Sequence, residues 1–216
     1  MSLTLYFHPL SSFCQKALIA LYENDVPFAP HIVNLFDEAS AAAFKKIWPI
    51  GRFPVLRDEA RDRTVPESSI IIEYLAQHYP GPSQLIPVNP DVARQMRLRD
   101  RFFDLYVNVP LGKVVTDRLR PPGRNDPHGV EEAKALLRTS LDMIEQDMAQ
   151  KSRAMGDAFT MADCAAAPAL FYADKVMPFG ESYRHTAAYL ARLMARPSYA
   201  RALAEAKPYL KLMPKE

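Results

Sequence analysis

Ser11-Ser12-Phe13-Cys14 has the spacing of a redox Cys-x-x-Cys motif with a serine in the first cysteine slot. A hydroxyl there forms no disulfide. It can donate a hydrogen bond to a thiolate held at a helix N-terminus, where the dipole favours negative charge. The segment lies between an apolar strand-like run, Leu3–Phe7, and a helical pattern, so such a thiolate would come from outside the chain. Plainer roles compete at each position. A serine at a helix start most often caps the orphan amides of the first turn. Cys14, one turn into the helix, suits a small buried hydrophobe, or alternatively the nucleophile of a thiol reductase.

Two further segments carry chemistry. In Gly51-Arg52-Phe53-Pro54 the proline opens a strand, a position it tolerates at an edge or a special turn. A cis Phe53–Pro54 bond would present the Phe53 backbone to an extended peptide in β fashion; a plain turn into an edge strand is the alternative. In Pro66-Glu67-Ser68-Ser69 a glutamate and a serine open a helix. They could form an N-terminal cap with an acid in the first turn. They could equally hold an α-amino acid, the helix start and serine taking its carboxylate and the glutamate its ammonium.

The elements that must position these groups fall into two sets. Over the first 80 residues strands (Leu3–Phe7, 30–35, 53–57 and Arg63–Pro66) alternate with helices (13–23, 39–48 and 70–78), which predicts a βαβ–ββα domain. Tyr79-Pro80-Gly81-Pro82, followed by Pro87 and Pro90, reads as a proline-stiffened linker. Beyond it the strand signal ends, and helices are predicted over 91–119, 130–150, 160–176, 187–194 and 199–206. The expected division is 1–80 for the α/β domain, 81–90 for the linker and 91–216 for an all-helical domain.

Composition limits the function classes. A net charge of +2 argues against bulk nucleic-acid or membrane binding. Two cysteines, Cys14 and Cys164, do not make a secreted disulfide scaffold. No signal-peptide pattern and no run of about 18 apolar residues is present, so a cytoplasmic protein is expected. Neither GxGxxG nor GxxxxGK[ST] occurs, and no metal site is expected.

Together these motifs, in this order, resemble the cytosolic glutathione transferases along essentially the whole chain. Gly156-Asp157-Ala158-Phe159-Thr160-Met161-Ala162-Asp163 is similar to that family's Gly-x-x-x-Ser/Thr-x-Ala-Asp folding motif. In physical terms it is an N-cap threonine, an acid three residues later, and Phe159 and Cys164 placed as a hydrophobic staple.

The resemblance implies a thioredoxin-like N-terminal domain, an all-α C-terminal domain, a homodimer, and glutathione as cosubstrate, its thiolate conjugating or isomerising a small hydrophobic electrophile. Ser11-Ser12-Phe13-Cys14 is similar to the Ser-type catalytic segment, closest to the zeta-class Ser-Ser-Cys pattern, with Ser11 as thiolate donor and Ser12 as the neighbour one register away. Phe53 beside Pro54 would pair with the cysteinyl part of glutathione. Glu67 and Ser68 would bind its γ-glutamyl end, and Arg52 its glycine carboxylate, with Lys45 and Lys46 as rivals.

Departures are Trp48-Pro49 in place of Asn-Pro, and Ser69-Ile70-Ile71 where x-Ala-Ile is usual. Tyr6 lies where Tyr-type members keep their hydroxyl and is expected in the core. Arg94, Arg97, Arg99 and Arg101 are either surface charge or a cleft attractor for anionic glutathione. Phe103, Tyr106, Val107 and Val109 are candidates for the electrophile pocket. A glutathione-dependent reductase or peroxidase, and a non-catalytic binding protein on the same fold, remain the alternatives.

Overall fold

Alternating burial along Leu3–Phe7 makes it a strand with one face in the core, and it becomes the centre of the sheet. The computed structural model describes residues 2–214. The first half runs β1 (Leu3–Phe7), α1 (Ser12–Glu23), β2 (Ala29–Ile32), α2 (Glu38–Ile47), β3 (Val55–Asp58), β4 (Arg63–Pro66) and α3 (Ser68–His78). β2 pairs parallel to β1, β3 antiparallel to β1, and β4 antiparallel to β3, giving the order β2-β1-β3-β4. This is the βαβ–ββα arrangement expected, with strand and helix ends shifted by a few residues.

The second half is helical: α4 (Pro90–Phe102), a π-helix (Phe103–Asn108), α5 (Val109–Asp117), α6 (Pro127–Met148), α7 (Met161–Val176), α8 (Arg184–Met194), α9 (Pro197–Ala206) and a 3₁₀ turn (Lys207–Leu212). The periodicity over 91–119 predicts one helix, whereas the structure divides it at the π-helix. The 3₁₀ turn follows α9 where the sequence pattern predicts no further helix.

α7 is the hub of the helical half. Its Ala-rich sequence is buried nearly all round, so α1 of the first half packs directly on it. The Thr160–Asp163 motif starts this helix. The Asp163 carboxylate accepts from the Thr160 amide (2.9 Å), the Thr160 hydroxyl (3.1 Å), the Ala154 amide (3.0 Å) and the Tyr189 hydroxyl (2.6 Å). The apolar core continues from the sheet through α1 into α7 without a break.

Candidate active site

Strand register assembles the site. Val55 lies opposite both Tyr6 and Pro66, so the turn before β3, the loop after β1 and the start of α3 meet at one end of the sheet. The Phe53–Pro54 peptide is cis. Gly51 has φ +69°, a left-handed conformation that a glycine adopts without strain, and it turns the chain into this segment. Arg52, Phe53, Pro54, Glu67 and Ser68 line one cleft of about 160 Å³, shared with Arg101, Asp104, Leu105 and Val109 from the helical half.

Glu67 has φ +70° and ψ 122°, a strained conformation for a side-chain-bearing residue. It occupies the N-cap of α3, yet its side chain makes no capping bond. The carboxylate is therefore not engaged in capping. The first-turn amides after it lack intrahelical partners, as at any helix start, and suit an anion.

Ser11 is the N-cap of α1: its Oγ accepts the Cys14 amide at 3.3 Å. Accepting that bond does not use the hydroxyl proton, which is directed in part toward the buried Cys14 thiol. Ser12 is the first residue of the helix. Both serines line a second cavity of about 270 Å³, with Leu10, Phe13, Leu111, Val115, Asn108 and Tyr172 among its walls. Phe13 belongs to both cavities, which are therefore neighbours. The turn before the serines is held by His8, whose Nδ1 accepts the Leu10 amide at 3.2 Å; burial lowers its pKa, so it stays neutral.

The other candidates fall elsewhere. Cys14 is fully buried, and burial pushes its thiol up to about 12, so it is inert as a nucleophile. Tyr6 packs on His31 and Phe44, away from the serines. Three of the four arginines have carboxylate partners outside the cleft: Arg94 with Asp91, Arg97 with Glu73, and Arg99 with Asp147. Arg101 alone of the four lines the cleft, 3.2 Å from Asp104. Lys45 and Lys46 sit exposed in the last turn of α2.

Of the proposed electrophile-pocket residues, Phe103 and Val107 are core, Tyr106 meets Phe102 edge-on, and Val109 lines the cleft of Glu67. Asn108, Leu111, Gly112 and Val115 line the serine cavity instead.

Sequence reasoning also missed Lys16. Its ammonium is fully buried, 2.6 Å from Asp100, 2.8 Å from Asp104 and 2.8 Å from the Ser69 hydroxyl, which itself donates to Asp100 at 2.7 Å. The cluster ties α1, α3, α4 and the π-helix together directly behind the cleft. Burial and the neighbouring Asp100 raise the Asp104 pKa against the pull of Lys16. The signal was a lysine among the apolar residues of a buried helix.

A further cavity, about 570 Å³ between α1, β2 and α9, contains none of the candidate groups. Its Arg201 and Glu205 are paired with each other, and Glu205 also accepts from Tyr22. The candidate residues line the two smaller cavities.

A family model for the glutathione S-transferase N-terminal domain matches residues 5–83, and one for the C-terminal domain matches residues 127–196. The chain belongs to the glutathione S-transferase family. Glutathione S-transferase F6 of Arabidopsis thaliana is 27% identical over 205 residues, covering 90% of this chain and 95% of that protein. A stringent starvation protein A homolog of Histophilus somni is 26% identical, covering 95% and 92%. Poplar glutathione transferase F1 superposes with a TM-score of 0.83 at 25% identity, covering 96% of this chain and 99% of that one. A glutathione S-transferase from Methylobacillus flagellatus, solved with GSH bound, shares the fold at a TM-score of 0.85 and 23% identity, covering 93% and 98%. The glutathione S-transferase fold, a four-stranded α/β domain followed by a helical one, is thus established for this chain.

Proposed function

We propose that this protein is a Ser-type glutathione transferase, closest to the zeta class in its Ser11-Ser12 segment. In this reading Ser11 donates a hydrogen bond to the glutathione thiolate, Ser12 stands beside it, and the thiolate attacks a small apolar electrophile. The observation that carries the reading is the convergence of Arg52, Phe53, Pro54, Glu67 and Ser68 on one cleft that shares Phe13 with the serine cavity. Glutathione as cosubstrate is supported further by relatives named glutathione S-transferase.

Each group has a role. Glu67 takes the γ-glutamyl ammonium, while Ser68 and the α3 amides take its carboxylate. The Phe53 backbone pairs with the cysteinyl unit, and Arg52 faces the glycine carboxylate as a bidentate partner. The sulfur then lies at the α1 N-terminus. A free thiol near pKa 8.5 is mostly protonated at neutral pH, and a helix N-terminus and one donor lower that by about a unit or more. Addition or displacement at carbon follows without a metal or a protein base.

We divide the chain at 1–80, 81–90 and 91–216. The gap between α3 and α4, and the N-terminal family match ending at residue 83, support this division. A homodimer is expected, and light scattering at micromolar concentration tests it.

Calorimetric titration with glutathione, followed by conjugation of a generic electrophile, tests the reading. We expect binding, turnover, and a loss of about tenfold or more in kcat/KM for Ser11→Ala. Ser12→Ala losing activity while Ser11→Ala keeps it would exchange their roles. A non-catalytic binding role is the second reading; relatives at 26–27% identity include stringent starvation protein A homologs, whose name does not call them transferases. Absence of glutathione binding in the titration selects it.

A further inference from the structure

The junction of α8 and α9 gathers positive charge that most of the chain pairs off. Arg153, Arg192 and Arg196 line one hollow of about 220 Å³, with Ser152, Phe159 and Leu193 among the other walls. No aspartate or glutamate lines it. Elsewhere Arg57, Arg94, Arg97, Arg99 and Arg201 each meet a carboxylate. Among the three here, Arg196 alone does so, through Glu23, which is not part of the wall. Arg192 Nε donates instead to the Ser152 carbonyl at 3.1 Å, and Arg153 Nη1 donates to the Asp157 carbonyl. Both Nη groups of Arg192, Nε and Nη2 of Arg153, and Nη1 of Arg196 have no acceptor among the described residues.

The donors are held in place before any ligand arrives. Arg153 and Gly156 exchange main-chain bonds of 2.9 and 3.1 Å, and Gly156 closes that turn at φ +98°, which suits a glycine. The Arg192 bond to Ser152 ties α8 to the same turn. The Arg196 guanidinium lies 3.8 Å from the centre of the Phe159 ring, a cation–π contact that fixes its plane. The C-terminus of α8 and the N-terminus of α9 meet here with half-charges of opposite sign, so the guanidiniums set the field. Like charges gathered without a carboxylate in the wall repel one another, and an anion relieves that repulsion.

We propose that this hollow binds the phosphoryl group of inorganic phosphate or of a small phosphate monoester. Guanidinium forks match phosphate oxygens two at a time. A phosphate monoester is close to a dianion at neutral pH and offers three acceptor oxygens, enough to engage three cations at once. A carboxylate brings one charge and two oxygens. The hollow shares no lining residue with the cleft of Glu67 or the serine cavity, so the site is independent of the transferase reading.

The test is calorimetric titration of the full chain with inorganic phosphate, AMP and adenosine at constant ionic strength, repeated for Arg153→Gln and Arg192→Gln. Saturable binding of phosphate or AMP, and none of adenosine, is expected. Each variant should weaken that binding on the order of 10–100-fold, the scale of one lost hydrogen bond to a charged group. Phosphate binding as tightly as AMP assigns the site to the free ion, and tighter AMP binding assigns it to a monoester. At ten times Kd the bound ligand should raise Tm by about 3–6 °C. The unliganded Tm of both variants should stay within about 2 °C of the parent, since neither guanidinium takes part in a carboxylate pair. A charge-retaining Arg192→Lys is expected to fall between the parent and Arg192→Gln, because it keeps the charge and loses the fork. No saturable binding, equal binding of adenosine and AMP, equal stabilisation by sodium chloride at the same ionic strength, or affinity unchanged in both glutamine variants would overturn the proposal.

Discussion

In the proposed reading Ser11 combines two duties, cap and thiolate donor. As the N-cap of α1 it accepts the Cys14 amide, and its proton, shared in part with the buried Cys14 thiol, would turn to a bound thiolate. Removing it should raise the pKa of the bound thiol toward the free value. The pH midpoint of kcat/KM is then expected to move up by about one unit in Ser11→Ala, equivalent to about 1.4 kcal/mol. A pH–rate profile from 5 to 9 checks this. At the same scale, both cysteines are fully buried, and burial raises both thiol pKa values. Neither is expected to react with a colorimetric disulfide reagent until the protein is unfolded, and Cys14→Ala should keep transferase activity. Loss of activity there would return the reductase reading. Ser11, Ser12, Phe53, Pro54, Glu67 and Ser68 could be found in the sequence because each marks a local event: a helix start, a strand entry, a turn. Lys16 could not, because what distinguishes it is partners supplied from distant parts of the chain.

Among the elements, the strands and most helices were legible because period-2 and period-3.6 patterns and proline stops are local signals. The π-helix was not. Its extra residue leaves the apolar pattern looking helical but turns everything after it by about 100° around the axis. Past it, Asn108 and Leu111 line the serine cavity, whereas Tyr106 and Val107 do not. The π-helix also brings Asp104 under α1, where Lys16 bridges it to Asp100 and Ser69. Removing one partner of a buried ionic cluster leaves the others uncompensated. Lys16→Met is therefore expected to destabilise the fold by about 3–5 kcal/mol, read from urea unfolding at neutral pH. An unchanged midpoint would mean that the two aspartates are accommodated without the lysine.

At the scale of the molecule, the two halves are joined by side chains as well as by the core. Glu23 at the end of α1 forms a bidentate pair with Arg196 at the start of α9, at 2.7 and 2.5 Å. Burial acts to raise the Glu23 pKa, but Arg196, Ser198 and Ser83 outweigh it, and the net shift is downward. A carboxyl lowered in the folded state contributes stability above its unfolded pKa of about 4.5, and that contribution is lost as pH falls through the folded value. Glu23→Gln is expected to cost about 1.5–3 kcal/mol at pH 7 and progressively less toward pH 3. Urea midpoints at the two pH values measure the difference, and an equal cost at both would show that the charge is not involved.

The side chain of Phe13 is a wall common to the cleft of Glu67 and the cavity of the serines. Whatever occupies one hollow restricts the rotamers open to that ring, and so alters the free energy of filling the other. By thermodynamic linkage the factor is the same in both directions. If cosubstrate and electrophile fill the two hollows as proposed, they would form a heterotropic pair coupled through a single aromatic ring, with their order of arrival a property of residue 13.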